Sequence, residues 1–349
     1  MTQSAVVAST RPSLLSQPGL VPGLILTFAL AMASMGLAQI PWFSSAGLGV
    51  LTLAIVSGML AGNTIFPSFA SRTGAGVDFS KNILLRAGII LFGFRITFQD
   101  IAHVGWSGVL IAALIVGGTF LLAVFLGTKV FRLDKHTAML IGAGSAICGA
   151  AAVMATEPVV KGKPHQVTVA VATVVIFGTI AMFAYPFLYS WSGLNELAFG
   201  VYIGSTVHEV AQVVAAGAAV SEQAAATAVI EKMIRVMMLA PFLLLLSVSA
   251  SRKHSDVSSG RVVIPWFAVL FIVAAGINSF NILPAALVEA ILQVDMLLLA
   301  MAMAALGLRT RFASLREAGL RPILLAATLF AFLVIVGYGI NVLVSSLLT

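Results

Sequence analysis

The sequence predicts an all-α polytopic membrane protein with about nine to eleven transmembrane segments, inverted structural repeats and two Gly-Ser helices that are broken or re-entrant. Three observations predict it. Of 349 residues, 60% are hydrophobic and only 9% are charged, whereas a soluble domain carries about 25% charged residues. Apolar runs long enough to cross a hydrocarbon core of about 30 Å recur along almost the whole chain. Finally, small-residue motifs recur at fixed offsets inside those runs.

The apolar runs fall near 21–39, 46–62, 82–98, 104–128, 137–157, 166–189, 197–219, 224–250, 262–280, 284–308 and 320–346. They account for the mass, so no soluble catalytic domain fits. Residues 1–19 are polar and lack the basic start, apolar centre and cleavage site of a signal peptide, so they are expected to be a retained cytoplasmic tail. Residues 20–349 then form a single transmembrane domain, with repeat halves of about 46–189 and 197–347. The net charge of +7 sits in short loops, where it sets topology; no nucleic-acid partner is expected. Cys148 is the one cysteine, which excludes an intrachain disulfide and any multi-cysteine metal site, and no cofactor is expected.

Internal repeats come next, because many transporters are built from two related halves of opposite orientation. An ungapped offset of 214 sets "GFRITFQDIAHVG" (93–105) on "GLRTRFASLREAG" (307–319). It matches Gly93, Arg95, Phe98 and Gly105 with Gly307, Arg309, Phe312 and Gly319, and Ala61, Gly62 and Phe66 with Ala275, Gly276 and Phe280. A second offset of 60 sets "GSAICGAAAVMA" (144–155) on "GSTVHEVAQVVA" (204–215), matching Gly144-Ser145 with Gly204-Ser205.

Loop charge tests the topology. With eleven crossings and the amino terminus inside, Arg72, Lys81, Lys129, Arg132, Lys135, Arg252, Lys253, Arg261, Arg309, Arg311, Arg316 and Arg321 are cytoplasmic, but Lys161 and Lys163 fall outside. If 137–157 and 197–219 are instead re-entrant hairpins from opposite faces, Lys161 and Lys163 return inside and Glu196 and Glu222 flank the outer hairpin. Nine crossings and two re-entrant or broken segments are therefore expected. Irregular backbone inside a membrane is tolerated where it is covered by protein or lines a cavity, so these segments are candidate sites. Tight small-residue helix packing is the other reading of the same glycines.

Gly142, Gly144 and Gly149 would permit the first turn, and the arm near Ser145 would offer free N–H groups and a positive dipole end to an anion. In "GSTVHEVAQ", the spacing of Ser205, His208 with Glu209, and Gln212 puts them on one helix face; Ser145, Cys148 with Gly149, and Ala152 correspond in the first copy. His208 and Glu209 are candidates for relaying a proton. A zinc-peptidase reading fails, because the second histidine of the helical pair is Gln212. In "IEKMIRVMMLAP", Glu231 and Arg235 can pair at i, i+4, while Lys232 or Arg235 facing a cavity would give an anion its countercharge. These charges are expected close to a helix end. Glu157 closes the first hairpin, where it could pair with Lys161 or Lys163 or couple a cation or proton. Arg95 and Arg309 read as interfacial anchors or helix C-terminal charges, and Asn63 as a packing residue.

"GAGSAICGAAAVMATEPVVK", "GSTVHEVAQVVAAG" and "EKMIRVMMLAPFLL" resemble, over nearly the full chain, the YeiH family of bacterial inner-membrane proteins, which carry a sulfate-exporter label by inference. The resemblance also implies a distant place among cation/proton antiporter and anion-transporter folds, and a homodimer of the kind common among scaffold-type transporters. The expected function is a secondary transporter in the inner membrane that exports a small anion, sulfate or an organosulfonate, with proton or cation coupling. Gly144, Ser145, Cys148, Gly149, Gly204, Ser205, Thr206, Gln212, Lys232 and Arg235 would bind the substrate, and His208, Glu209 and Glu157 would couple ions. A passive anion channel is the competing class; an intramembrane enzyme is a remote one, since no nucleophile has an obvious base. The lipid bilayer and the small anion are the expected partners.

Overall fold

Backbone polar groups in hydrocarbon must be satisfied within their own segment, and all the regular structure among the described residues is helical. The computed structural model describes residues 18–45, 49–251, 266–310 and 318–348. Most of the expected amino-terminal tail, with Arg252, Lys253, Arg261, Arg311 and Arg316, lies outside the described residues.

The elements are α1 (Leu20–Ala38), α2 (Pro41–Ser45), α3 (Val50–Asn63), α4 (Ala70–Phe79), α5 (Leu85–Phe92), α6 (Phe98–Phe125), α7 (Lys135–Ala146), α8 (Ala150–Val160), α9 (Pro164–Ser192), α10 (Glu196–Thr206), α11 (Val210–Ala218), α12 (Glu222–Met237), α13 (Leu239–Ser251), α14 (Trp266–Ser279), α15 (Ala285–Arg309) and α16 (Leu320–Leu348). The chain is a polytopic membrane protein. Among the described residues, five helices are individually long and apolar enough to cross a membrane: α1, α6 with its π-helical extension to Val130, α9, α15 and α16. Other spans are composite. A π-helical turn at Ser80–Leu84 joins α4 to α5, and Met238 alone separates α12 from α13.

Small residues set the closest seams. A side chain on Gly58 or Gly62 of α3 would run into the backbone of Ala304 or Leu308, so α3 and α15 touch backbone to backbone. At the ends of that layer Arg95 donates from Nε to Asp295 Oδ2 at 3.1 Å, and Arg309 donates to both oxygens of Asp78 at 2.8 and 2.7 Å. Both arginines stand in the last turn of a helix, as one of the two sequence readings had it, and each is also ion-paired across helices. Asn63 donates to the carbonyls of Met59 and Thr310, tying α3 to the end of α15. Gly105 and Gly319, matched by the 214-residue register, both have positive φ, 47° and 81°.

The segment 137–157 becomes two helices that return to the end where they began. Asp134 accepts from the His136 N–H at 2.9 Å to start α7, and the same carboxylate accepts from Gln166 Nε2 at 2.8 Å, at the start of α9. Gly162, just past α8, lies against Leu140 of α7. The segment 197–219 does the same: Ser221 donates to Glu196 at 2.6 Å, closing the mouth of the α10–α11 pair. α12 then runs beside α10, with Gly200 on Ala224 and Gly204 on Ala228. Between the hairpins, α9 has 29 residues, about 43 Å at 1.5 Å per residue. It carries the chain from the mouth of one hairpin to the mouth of the other.

Candidate functional site

A helix that stops inside a membrane leaves carbonyl groups at its C-terminal end and N–H groups at the N-terminal end of whatever follows. Both hairpins create this problem at their tips. In the first, Ile147 leaves helical geometry and Gly149 takes φ 67° and ψ −134°, a region that favours glycine. A β-carbon at 149 would also run into the side chain of Glu209. In the second, Val207 and Glu209 are extended, with ψ 145° and 149°.

Two fully buried cations, both from α12, satisfy the carbonyls. Lys232 Nζ donates to Ile147 O, Val207 O and His208 O, each at 2.7 Å. Arg235 donates from Nε to Ala146 O at 2.8 Å, from one terminal nitrogen to Gly204 O and Val207 O at 3.3 and 3.1 Å, and from the other to Ser145 O at 2.9 Å. One helix therefore caps the C-terminal ends of α7 and α10 together, with charge of the sign that the helix dipoles favour there. A buried charge costs on the order of 2.5–3.5 kcal/mol on the membrane-insertion scale. These bonds offset it, and an ammonium has only three N–H groups to give. Arg235 does stand in the last turn of α12, but the expectation that these charges snorkel outward is overturned: the helices packed on α12 bury both side chains completely and leave them at the tips. Nor do Glu231 and Arg235 pair; among the described residues the ion pairs made by lysine or arginine are Arg95–Asp295 and Arg309–Asp78, so Glu157 has no ion pair with Lys161 or Lys163 either.

The N-terminal ends of α8 and α11 open at the same tips. Glu209, just ahead of α11, reaches across so that Oε1 accepts the Ala150 N–H at 3.3 Å, placing a carboxylate at the start of α8. Its own N–H donates to Gln212 Oε1 at 3.0 Å. Three buried polar atoms here have no partner among the described residues: Ser145 Oγ, His208 Nδ1 and Gln212 Nε2. Cys148 is buried in the first tip with a free thiol, and among the described residues no cluster of metal-ligating side chains occurs.

The paired motifs are not equivalent. Ser205 is wired into the protein, donating to Tyr202 O at 3.1 Å and accepting from Asn341 Nδ2 at 3.0 Å, and Thr206 accepts from Tyr185 OH at 2.9 Å. Gly144 meets Val153 and Val174, and Gly204 meets Ala228 and Glu231, so both permit close packing beneath the tips. The expected single helical face is corrected: Ser205 lies on α10, Gln212 on α11, and His208 and Glu209 in the break, because the extended residues reverse the chain between them. Asn341 and Tyr185 were not singled out from sequence; for Asn341 the available signal was the one amide side chain in the apolar α16.

A cavity of about 470 Å³ opens between α11 and α12 on one side and α3, α5 and α15 on the other, with Arg95, Glu222 and Asp295 in its lining. Asp295 is fully buried and its Oδ1 has no partner among the described residues.

The chain matches, over residues 22–326, the family described as Conserved hypothetical protein 698. It is 54% identical over 335 residues to the UPF0324 inner membrane protein YeiH of Escherichia coli K12, a match covering 94% of this chain and 95% of that protein. It is 56% identical over 342 residues to a UPF0324 membrane protein of Pseudomonas aeruginosa, covering 95% and 96%. A UPF0324 membrane protein of Photorhabdus laumondii is 54% identical over 341 residues, covering 93% and 94%. No solved structure matches the chain. The resemblance read from the Gly-Ser motifs therefore holds over almost the whole length, and the chain belongs to the Conserved hypothetical protein 698 family of UPF0324 membrane proteins.

Proposed function

We propose that the protein is a secondary transporter of the inner membrane that exports a small anion, sulfate or an organosulfonate, by alternating access coupled to a proton. The observation that carries this reading is the meeting of two opposed hairpin tips, where the starts of α8 and α11 face inward beside the unpartnered donors of Ser145 and Gln212. Helix N-termini and unspent donors are what a desolvated anion needs. Lys232 and Arg235 give the tips a net positive charge while their bonds fix the tip geometry. Glu209 already places a carboxylate on α8. In this reading protonation of Glu209 frees that helix end for the substrate, with His208 beside it, and Glu157 lies further out toward the cytoplasmic mouth.

An inverted relation between the 214-residue copies, a cytoplasmic amino terminus and a homodimer belong to the same proposal. In it the layer of α3, α4, α5, α14 and α15 stays fixed and the hairpin core moves against it, the cavity beside Arg95 being the gap between them. The experiment is uptake of labelled sulfate, methanesulfonate and acetate into vesicles holding the purified protein, with and without an imposed pH gradient. Uphill, gradient-driven uptake lost in Glu209→Gln is the expected result. Downhill movement alone would make the protein a passive anion pathway, and no movement of any of the three would remove the reading.

A further inference from the structure

Glu231 is a buried carboxyl group that the tip architecture does not use. It is fully buried on α12 between Ile230 and Lys232, and neither carboxylate oxygen has a hydrogen-bond partner among the described residues. Its side chain turns away from the tips, toward α6, where Gly108 has no side chain; a β-carbon there would meet Glu231 Oε2. Gly204 of α10 packs on its β-carbon. One turn before Gly108, Gly105 interrupts α6 with φ 47° and ψ −146°. A helix broken inside the membrane marks either a hinge or a watered path, so the carboxyl and the break lie side by side.

The charges acting on Glu231 are Arg235 and Lys232, from its own helix. α6 presents Val104 and Gly108 to it and α10 presents Gly204, while α11 and α14 carry no titratable residue. Arg235 is at i+4, within reach of an ion pair along the helix surface, yet it is spent on the carbonyls of Ser145, Ala146, Gly204 and Val207. An ionised carboxylate with no hydrogen bond is among the most expensive groups to bury. A neutral acid in this position is not. The ion pair and the tip caps are thus two uses of one guanidinium.

We propose that Glu231 is a proton-carrying residue: protonated in the conformation seen here, it leaves Arg235 on the hairpin tips, and once deprotonated it draws Arg235 into an ion pair and loosens them. The proton comes from water, forms an O–H bond on a carboxylate oxygen, and returns to water when that bond breaks; no electron transfer is involved. The proposal rests on the transport reading only for its consequence, since the protonation itself is measurable without a substrate.

Infrared difference spectroscopy on the full-length protein at neutral and alkaline pH tests it. The expected result is a carboxylic-acid C=O band that is lost in Glu231→Gln, retained in Glu209→Gln and shifted in Glu231→Asp, which serves if the Gln variant does not fold. A band unchanged in the Glu231 variants would overturn the proposal. In vesicles, Glu231→Gln is expected to keep anion exchange and lose its drive by a pH gradient; retained drive would also overturn it. Vesicles in which wild-type protein moves no anion would remove the transport reading, and the infrared result would still decide whether Glu231 holds a proton.

Discussion

Arg235 holds the carbonyl oxygen of Ser145 at 2.9 Å, although the two residues stand 90 positions apart in the chain. Through this bond and its neighbours, one helix fixes the tips of two helical hairpins. Lys232→Met should therefore lower stability sharply, because three carbonyls lose their donor at roughly 1–3 kcal/mol for each group left buried and unpaired. Thermal unfolding of the detergent-solubilised protein, followed by thiol-dye labelling of Cys148, measures it. Arg235→Lys keeps the charge and loses the fork, so a smaller fall is expected.

Ser145→Ala and Ser205→Ala should separate. The hydroxyl of Ser145 has no partner among the described residues, so its loss should leave the unfolding temperature within error while weakening anion transport. The hydroxyl of Ser205 accepts from Asn341, whose amide nitrogen otherwise keeps only its bond to Gly337 O, so its loss should cost about 1–3 kcal/mol. Equal effects of the two substitutions on stability would count against the asymmetry drawn between the tips.

Gly149→Ala should be poorly tolerated on two grounds. Its backbone lies at φ 67°, ψ −134°, strain of about 1–3 kcal/mol for a residue with a side chain, and the new methyl group would displace Glu209 from the start of α8. Slower transport together with a lower unfolding temperature is the expected pair of observations, with uptake and thermal-shift assays on the same preparation.

Cysteines placed singly at His136, Lys163, Glu196 and Glu222, in a Cys148→Ser background, test the hairpins directly. The contacts of Asp134 with Gln166 and of Glu196 with Ser221 require labelling of the first two from one side of the membrane and the last two from the other. Labelling of His136 and Lys163 from opposite sides would mean that α7 and α8 form a full crossing.

Much of this was legible because glycine and charge leave marks in a sequence. The Gly-Ser motifs mark both breaks, after Ala146 and after Thr206. The reading that let Lys232 and Arg235 snorkel outward from a helix end failed for a physical reason: their partners are main-chain carbonyls, and a carbonyl carries no residue identity for a pattern to match. Partners far apart in sequence were equally silent. Asp295 with Arg95, Asp78 with Arg309, and Asn341 with Ser205 each join residues more than a hundred positions apart. The helical face drawn through Ser205 and Gln212 assumed continuous helix across the motif that breaks it.

The most direct test of the anion site is the rate at which a thiol reagent labels Cys148, the single thiol in the protein and part of the first tip, as sulfate, methanesulfonate or acetate is added at constant ionic strength. The account predicts saturable slowing by at least one of these anions, weakened in Ser145→Ala. Labelling at one rate whatever the anion and its concentration would contradict an anion site at the hairpin tips.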